Sequence, residues 1–361
     1  MKKNILFLFF FFVVSAKSQT ENIIIVTTDG FRWQEVFSGM DTAIAKQWKF
    51  NHGDSLEIYQ HYWSSDLNER RKKLMPFLWN TIATKGQVYG NRNEGNNINV
   101  FNPHWFSYPG YSELLCGFVD TSINSNKYPN NPHSSLLEFF NQQPALKNKV
   151  AAFGAWDAFD RILNKERSKI PIINAYDTCG GNHPSSNEKL INEMLHNSVK
   201  VLGTEECLDV YTHYEALEYL KKNKPKVLYI SYGETDEWAH DSKYRNYLDA
   251  AHQVDAYLEQ LWNYVQADPQ YRNKTTLLIT VDHGRGDIKK DEWTSHNNKI
   301  KGSDQIWFAV MGPHISAKGE IKNSVQLYQQ QLAATMAQIM GYQFKCEHPV
   351  APAIASVIKK S

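Results

Sequence analysis

Apolar residues along this chain fall into two rhythms. At residues 22–28 (Asn-Ile-Ile-Ile-Val-Thr-Thr) they run almost unbroken and β-branched up to Asp29-Gly30. Runs of this kind suit strands covered on both faces, as in a parallel sheet. Similar runs recur at 149–153, 226–231, 275–281 and 306–311. Between them the spacing becomes helical. Residues 244–265 carry apolar side chains at 244, 247, 248, 251, 254, 258, 261, 262 and 265, which makes one buried stripe. Further helices are predicted over about 207–222 and 325–340. Strands alternating with helices predict an α/β fold, a three-layer sandwich around a mainly parallel central sheet with helices on both faces. Loop-rich stretches near 90–135 and 154–206 read as excursions from one domain spanning 19–361, because no linker-like boundary separates them.

The first 18 residues follow another logic. Lys2 and Lys3 precede an apolar run from Ile5 to Val14, and Ala16-Lys17-Ser18 offers small residues at a cleavage position. This is the pattern of a signal peptide over residues 1–18. The run is shorter than the ~20 residues of a membrane-spanning helix, and no cysteine follows it to carry a lipid. The expectation is a protein that is exported, periplasmic or secreted, without a stable membrane anchor. The whole chain has 39 basic and 38 acidic residues. Removing 1–18 takes three lysines and no acid, leaving 36 against 38, a net of −2. That balance argues against a nucleic-acid polymer as partner. The 42% hydrophobic content excludes a disordered chain. Cys116, Cys179, Cys207 and Cys346 allow up to two disulfides in an exported chain, with Cys179 and Cys207 the first pair to consider.

Chemistry gathers at the predicted strand ends. Ligands of parallel sheets collect beyond the carboxyl ends of the strands. Asp29 follows the first strand, Asp236 and His240 follow the run at 226–231, and Asp282-His283-Gly284 follows the run at 275–281. Asp236 and His240 share one helical face by their spacing, and His296 lies thirteen residues beyond His283. Carboxylate and imidazole donors suit zinc and tolerate manganese or iron. Six such residues would supply three ligands to each of two divalent ions.

Thr28-Asp29-Gly30-Phe31-Arg32, a serine in a Gly-containing turn, Thr235-Asp236-Glu237-Trp238-Ala239-His240, Val281-Asp282-His283-Gly284 and then His296 resemble, in that order, the alkaline phosphatase superfamily. The branch most similar is the nucleotide pyrophosphatase/phosphodiesterase type, through its DGFR, DxxxH and DHG motifs. The resemblance implies an alkaline phosphatase-like fold and two zinc ions. Asp236, His240 and His296 would hold one ion; Asp29, Asp282 and His283 would hold the other, beside the nucleophile.

The nucleophile segment departs from that branch, which presents a threonine in a Pro-Asn-His-Tyr-Thr stretch. Here it reads Tyr108-Pro109-Gly110-Tyr111-Ser112-Glu113, and Ser112 is the predicted nucleophile, with Ser107 a lesser candidate. Its Ser-Glu pair resembles the cofactor-independent phosphoglycerate mutases. The sulfatase signature, Cys or Ser followed by x-Pro-x-Arg, is absent at Cys116. Arg32, Asn102 and His104 are candidate substrate contacts. The expected activity is hydrolysis of a small-molecule phosphate ester through a phosphoserine. No Arg or Lys lies within ten residues of Ser112, which tilts the expectation toward phosphodiesters or nucleotide-like substrates. A phosphomonoesterase, a phosphomutase, a sulfatase and a metal-binding envelope protein without turnover are the alternatives.

Overall fold

The computed structural model describes residues 20–359; the predicted signal peptide lies outside them. Among these residues ten strands form: β1 (Asn22–Thr28), β2 (Gly86–Tyr89), β3 (Asn96–Asn99), β4 (Val150–Gly154), β5 (Ile172–Asn174), β6 (Val227–Tyr232), β7 (Thr275–Thr280), β8 (Phe308–Met311), β9 (Gly319–Glu320) and β10 (Val325–Tyr328). Eight make one sheet in the order β5-β4-β6-β1-β7-β8-β2-β9, and β10 pairs with β3 in a small second sheet. Neighbours from β5 to β7 run parallel; β8 is antiparallel to both β7 and β2. Every residue of β1, β4, β6 and β7 is buried, as expected of strands covered on both faces.

This is the predicted α/β architecture, an alkaline phosphatase-like fold with a mainly parallel sheet flanked by helices. The long amphipathic helix runs Tyr244–Ala267 and buries Tyr247, Leu248, Ala251, Val254, Leu258, Leu261 and Val265. Three expectations need correction. The stretch 325–340 is not one helix: β10 comes first, because its backbone pairs with β3, and the helix starts at Gln331. The loop-rich stretch 154–206 contributes β5 to the edge of the main sheet and a helix, Ser186–Asn197, fixed by a Ser185–Glu188 capping box. The cysteines are unpaired thiols. Cys179 Sγ contacts Asn192 Oδ1 at 3.4 Å and Cys207 Sγ contacts Thr212 Oγ1 at 3.4 Å.

Among the described residues no helix is long and apolar enough to cross a membrane.

Candidate metal centre

β6, β1 and β7 are neighbours in register, so their carboxyl ends lie side by side. Asp29 leaves β1, the helix Glu234–His240 leaves β6 with Asp236 and His240 one turn apart, and Asp282-His283 leaves β7. The chain turns sharply after Asp29 because Gly30 takes φ +56°. A Cβ there would come within 2.4 Å of Asp236 Oδ1 and 3.1 Å of the His283 ring. His296 arrives from farther along. Trp293, fully buried among Phe50, Tyr244 and Tyr247, anchors its loop, and the His296 ring stacks on His283 at 3.9 Å between centroids.

All six predicted ligands are brought together, in two groups. Asp29, Asp282 and His283 offer donor atoms within 4.8 Å of one another, and so do Asp236, His240 and His296. Both groups suit a cation. Asp29 Oδ1 and Asp282 Oδ2 are buried without a hydrogen-bond partner and share a single basic neighbour, His283 Nε2, at 3.2 and 3.3 Å, a crowding of acids that a bound cation relieves. In the other group His240 Nε2 lies 3.0 Å from His296 Nε2 and 3.0 Å from Asp236 Oδ2, so lone pairs converge on one place. Tyr111 supports the first group by donating to Asp29 Oδ2 at 2.9 Å.

The protonation states follow from this crowding. Burial, then the nearby Asp29, pushes Asp282 well above the usual carboxylate range. His283 resists its burial because Asp282 and Asp29 flank it, and it rises to about 9. His296 falls to about 3, from burial and then the His283 charge. Asp236 stays well below its ordinary value in spite of burial, because Arg285, then His240 and His296, favour the carboxylate. Arg285 is itself fully buried, held by the Trp293 carbonyl at 2.7 Å, the Thr294 carbonyl at 2.8 Å and Asp236.

The serine at this centre is Ser107, not Ser112. The helix runs Ser107–Cys116, so Ser107 opens it and Ser112 lies in its middle. Five residues of helix carry a side chain about 7.5 Å along the axis and roughly 140° around it. Ser107 Oγ lies 3.3 Å from His283 Nε2 and lines the pocket. Ser112 is buried inside the protein, where its Oγ accepts from Asn131 Nδ2 at 2.9 Å. Pro109 is accommodated because the first turn needs no N–H from it. Gly110 is required by contact: a Cβ there would meet the Asp282 carbonyl at 2.4 Å. Glu113, on the same helix, accepts the N–H groups of Phe101 (2.8 Å) and Asn102 (2.8 Å) and so fixes the approach to Ser107.

The three predicted substrate contacts are structural instead. Arg32 is fully buried; its Nε donates to Glu35 Oε2 at 2.9 Å and its NH1 to the Gly286 carbonyl at 3.2 Å. Asn102 is tied to Glu113, and its Oδ1 accepts from His104 N at 3.0 Å and Trp105 N at 3.1 Å. His104 Nε2 meets the Thr121 carbonyl at 2.9 Å. These residues are near the centre in sequence, but Arg32, Asn102 and the His104 Nε2 are engaged by the scaffold, and none of the three lines the pocket.

A cavity of about 590 Å³ opens over the centre. Besides Ser107 and the metal-capable Asp29, Asp236, His240 and His296, it exposes Asn126, Lys127 and Arg161 on chain segments well separated from the serine in sequence. Trp156, Asp157, Glu205, Glu206 and Glu237 also face it. The sequence reading missed all of these. Only Glu237 had a visible cue, its place beside Asp236.

The metalloenzyme superfamily pattern matches residues 113–343, well over half the chain. The chain therefore belongs to the metalloenzyme superfamily, whose alkaline phosphatase-like fold it shares. No curated protein matches its sequence. Solved structures extend the fold comparison. The alkaline phosphatase PafA superposes with a TM-score of 0.58 at 9% identity, covering 94% of this chain and 99% of its own. A 2-O GAG sulfatase gives 0.54 at 13% identity, with 92% and 73% covered. The phosphonate monoester hydrolase SpPMH from Silicibacter pomeroyi gives 0.52 at 10% identity, with 89% and 73% covered.

Proposed function

We propose that the protein is an exported, metal-dependent hydrolase of small phosphate esters, with Ser107 as nucleophile and phosphodiesters of the nucleotide pyrophosphatase/phosphodiesterase kind as preferred substrates. The observation that carries this reading is the place of Ser107. Its hydroxyl opens a ten-residue helix, lies against His283, and lines the same pocket as Asp29 of one metal-capable group and Asp236, His240 and His296 of the other.

Asp29, Asp282 and His283 would hold one divalent ion and Asp236, His240 and His296 the other, with zinc favoured by the three imidazoles. Such a pair lowers the pKa of the attacking hydroxyl and offsets charge on the attacking and leaving oxygens. The protein's own part is positioning. Ser107 Oγ forms a bond to phosphorus as the bond to the leaving alcohol breaks in line, and the serine proton is lost to solvent. The N-terminal end of the helix favours the negative phosphoryl group on the serine. Water entering from the vacated side then breaks the Ser107–phosphate ester and regenerates the hydroxyl. Tyr111 and Arg285 keep Asp29 and Asp236 oriented throughout. The cavity continues from the serine to Trp156 and Asp157, which leaves room for the second substituent of a diester.

A monoesterase is the second reading, favoured by Lys127 and Arg161 in the pocket, since a monoester needs cations against its third oxygen. A sulfatase has weaker support. Ser107-Tyr108-Pro109-Gly110 follows the Ser-x-Pro-x pattern, but Tyr111 stands where the signature has arginine, and its hydroxyl is engaged by Asp29. The deciding experiment compares hydrolysis of bis-p-nitrophenyl phosphate, p-nitrophenyl phosphate and p-nitrophenyl sulfate by the zinc-loaded protein. Faster diester turnover that Ser107→Ala removes supports the reading. Turnover of the sulfate alone, or of none of the three, overturns it.

A further inference from the structure

Away from the pocket, two distant stretches of chain bring a further set of metal-capable side chains together. Among the described residues, His133, Glu347 and His348 offer donor atoms within 4.8 Å of one another. None of the three lines the pocket. His133 belongs to the excursion that follows the serine helix, whereas Glu347 and His348 lie beyond the helix Gln331–Ile339. Glu347 Oε1 accepts the Ser134 N–H at 2.7 Å, across 213 positions of sequence.

Both imidazoles are held in the manner of metal ligands. Asp120 Oδ2 meets His133 Nε2 at 2.7 Å, the carboxylate–imidazole pairing that orients a ligating ring and leaves Nδ1 for the ion. His348 is buried with a carbonyl at each ring nitrogen, Pro349 at 2.9 Å from Nδ1 and Ser134 at 3.1 Å from Nε2. A neutral imidazole has one N–H, so one of these nitrogens turns its lone pair toward an oxygen, a repulsion that a cation removes. Cys346 Sγ, 3.2 Å from His348 Nε2, adds a soft donor beside them. Phe118 packs against both rings, stacked on His348 at 5.1 Å between centroids and edge-on to His133 at 5.2 Å. Two imidazoles and a carboxylate next to a thiol suit zinc, whereas magnesium and calcium take oxygen donors.

We propose that His133, Glu347 and His348 form a third metal site, which takes a divalent ion of the zinc class and clips the stretch 346–348 to the excursion at 120–134. The same excursion carries Asn126 and Lys127 to the pocket. Its Asn131 accepts the His133 N–H at 3.0 Å and donates to Ser112 Oγ at 2.9 Å, so the clip braces the serine helix through one intervening side chain. An ion that binds only where these stretches meet stabilises the folded chain by mass action. The site is separate from the two-ion centre and holds whichever ester that centre cleaves.

Elemental analysis of the full chain after dialysis against zinc tests the site. His133→Ala and Glu347→Ala are each expected to hold one ion fewer than the wild-type chain, whatever number the two-ion centre retains. Glu347 is exposed, so its replacement leaves the fold intact. An unchanged ion count in either variant overturns the site. Thermal melts with and without chelator read the bracing. Chelation is expected to lower the Tm of the wild-type chain by about 2 °C or more beyond its effect on Glu347→Ala. Equal falls in the two proteins overturn the clip.

Discussion

Ser107 Oγ lies 3.3 Å from Nε2 of His283, and the same nitrogen lies 3.2 Å from Asp29 Oδ1 and 3.3 Å from Asp282 Oδ2. A hydroxyl, an imidazole and two carboxylates thus meet at one place at the end of the sheet. Ser107→Ala is expected to lower kcat by about 10³-fold or more, as loss of a nucleophile that has no substitute does. Ser112→Ala is expected to retain most of the activity. It removes one buried hydrogen bond to Asn131 and costs about 1 kcal/mol of stability. Steady-state rates and thermal melts of the two variants check this. A dead Ser112→Ala with an active Ser107→Ala would reverse the assignment.

The two ligand groups predict separable losses of metal. Asp282→Asn should leave the Asp236–His240–His296 group able to bind, and His296→Ala should leave the Asp29–Asp282–His283 group able to bind. Elemental analysis after dialysis against zinc is expected to show one ion fewer in each variant than in the wild-type chain. Loss of both ions in either variant would mean a single shared site.

That these six residues could be read from the sequence follows from where they sit. β1, β6 and β7 are buried on both faces, so each shows as a nearly continuous apolar run, and the polar residues that end each run stand out. The start of the serine helix was hidden for the opposite reason. Pro109-Gly110 looks like a turn, so the sequence shows no sign that a helix already begins at Ser107. In the fold proline occupies a first turn where it is harmless, and glycine serves close packing on Asp282. Arg32 and Asn102 misled through nearness in sequence, since side chains beside a site still fold inward when buried partners such as Glu35 and Glu113 wait for them. Lys127 reaches the pocket from one excursion and Arg161 and Glu206 from distant parts of the other, a placement that only tertiary structure reveals.

Arg32 gives a prediction of stability without chemistry. Its ion pair with Glu35 is fully buried on both sides. Arg32→Ala leaves a buried carboxylate without its cation and is expected to cost ~3–5 kcal/mol of unfolding free energy. KM measured on the folded fraction should change little, because Arg32 does not face the pocket. Denaturant melts and KM values check both parts; a large rise in KM at unchanged stability would return Arg32 to the substrate.

The lysine and arginine of the pocket bear on ester preference. Lys127 is exposed at the cavity and Arg161 lines it. If they contact the third oxygen of a monoester, Lys127→Ala should lower kcat/KM for p-nitrophenyl phosphate more than for bis-p-nitrophenyl phosphate, by about tenfold in the ratio. Equal loss on both substrates would assign Lys127 a general electrostatic role.

The pH dependence of metal binding follows from His283. Without metal its pKa stands at about 9, because the carboxylates of Asp282 and Asp29 favour the imidazolium despite burial. A metal ion needs the neutral ring, so binding must expel that proton wherever the pH is below about 9. Protons therefore compete with the ion across the window from pH 7 to 9, and apparent affinity should rise with pH by about tenfold per unit from His283, and more steeply wherever the raised Asp282 carboxyl must also give up a proton, before levelling off. The rise belongs to the ion held with Asp29 and Asp282. His296, lowered to about 3 by burial and the His283 charge, is already neutral throughout that window and contributes no slope of its own. Competition with a chelator of known affinity at pH 7, 8 and 9 reads the effect, using His296→Ala to isolate the Asp29–Asp282–His283 position. A flat profile there would show that His283 is neutral before the ion arrives.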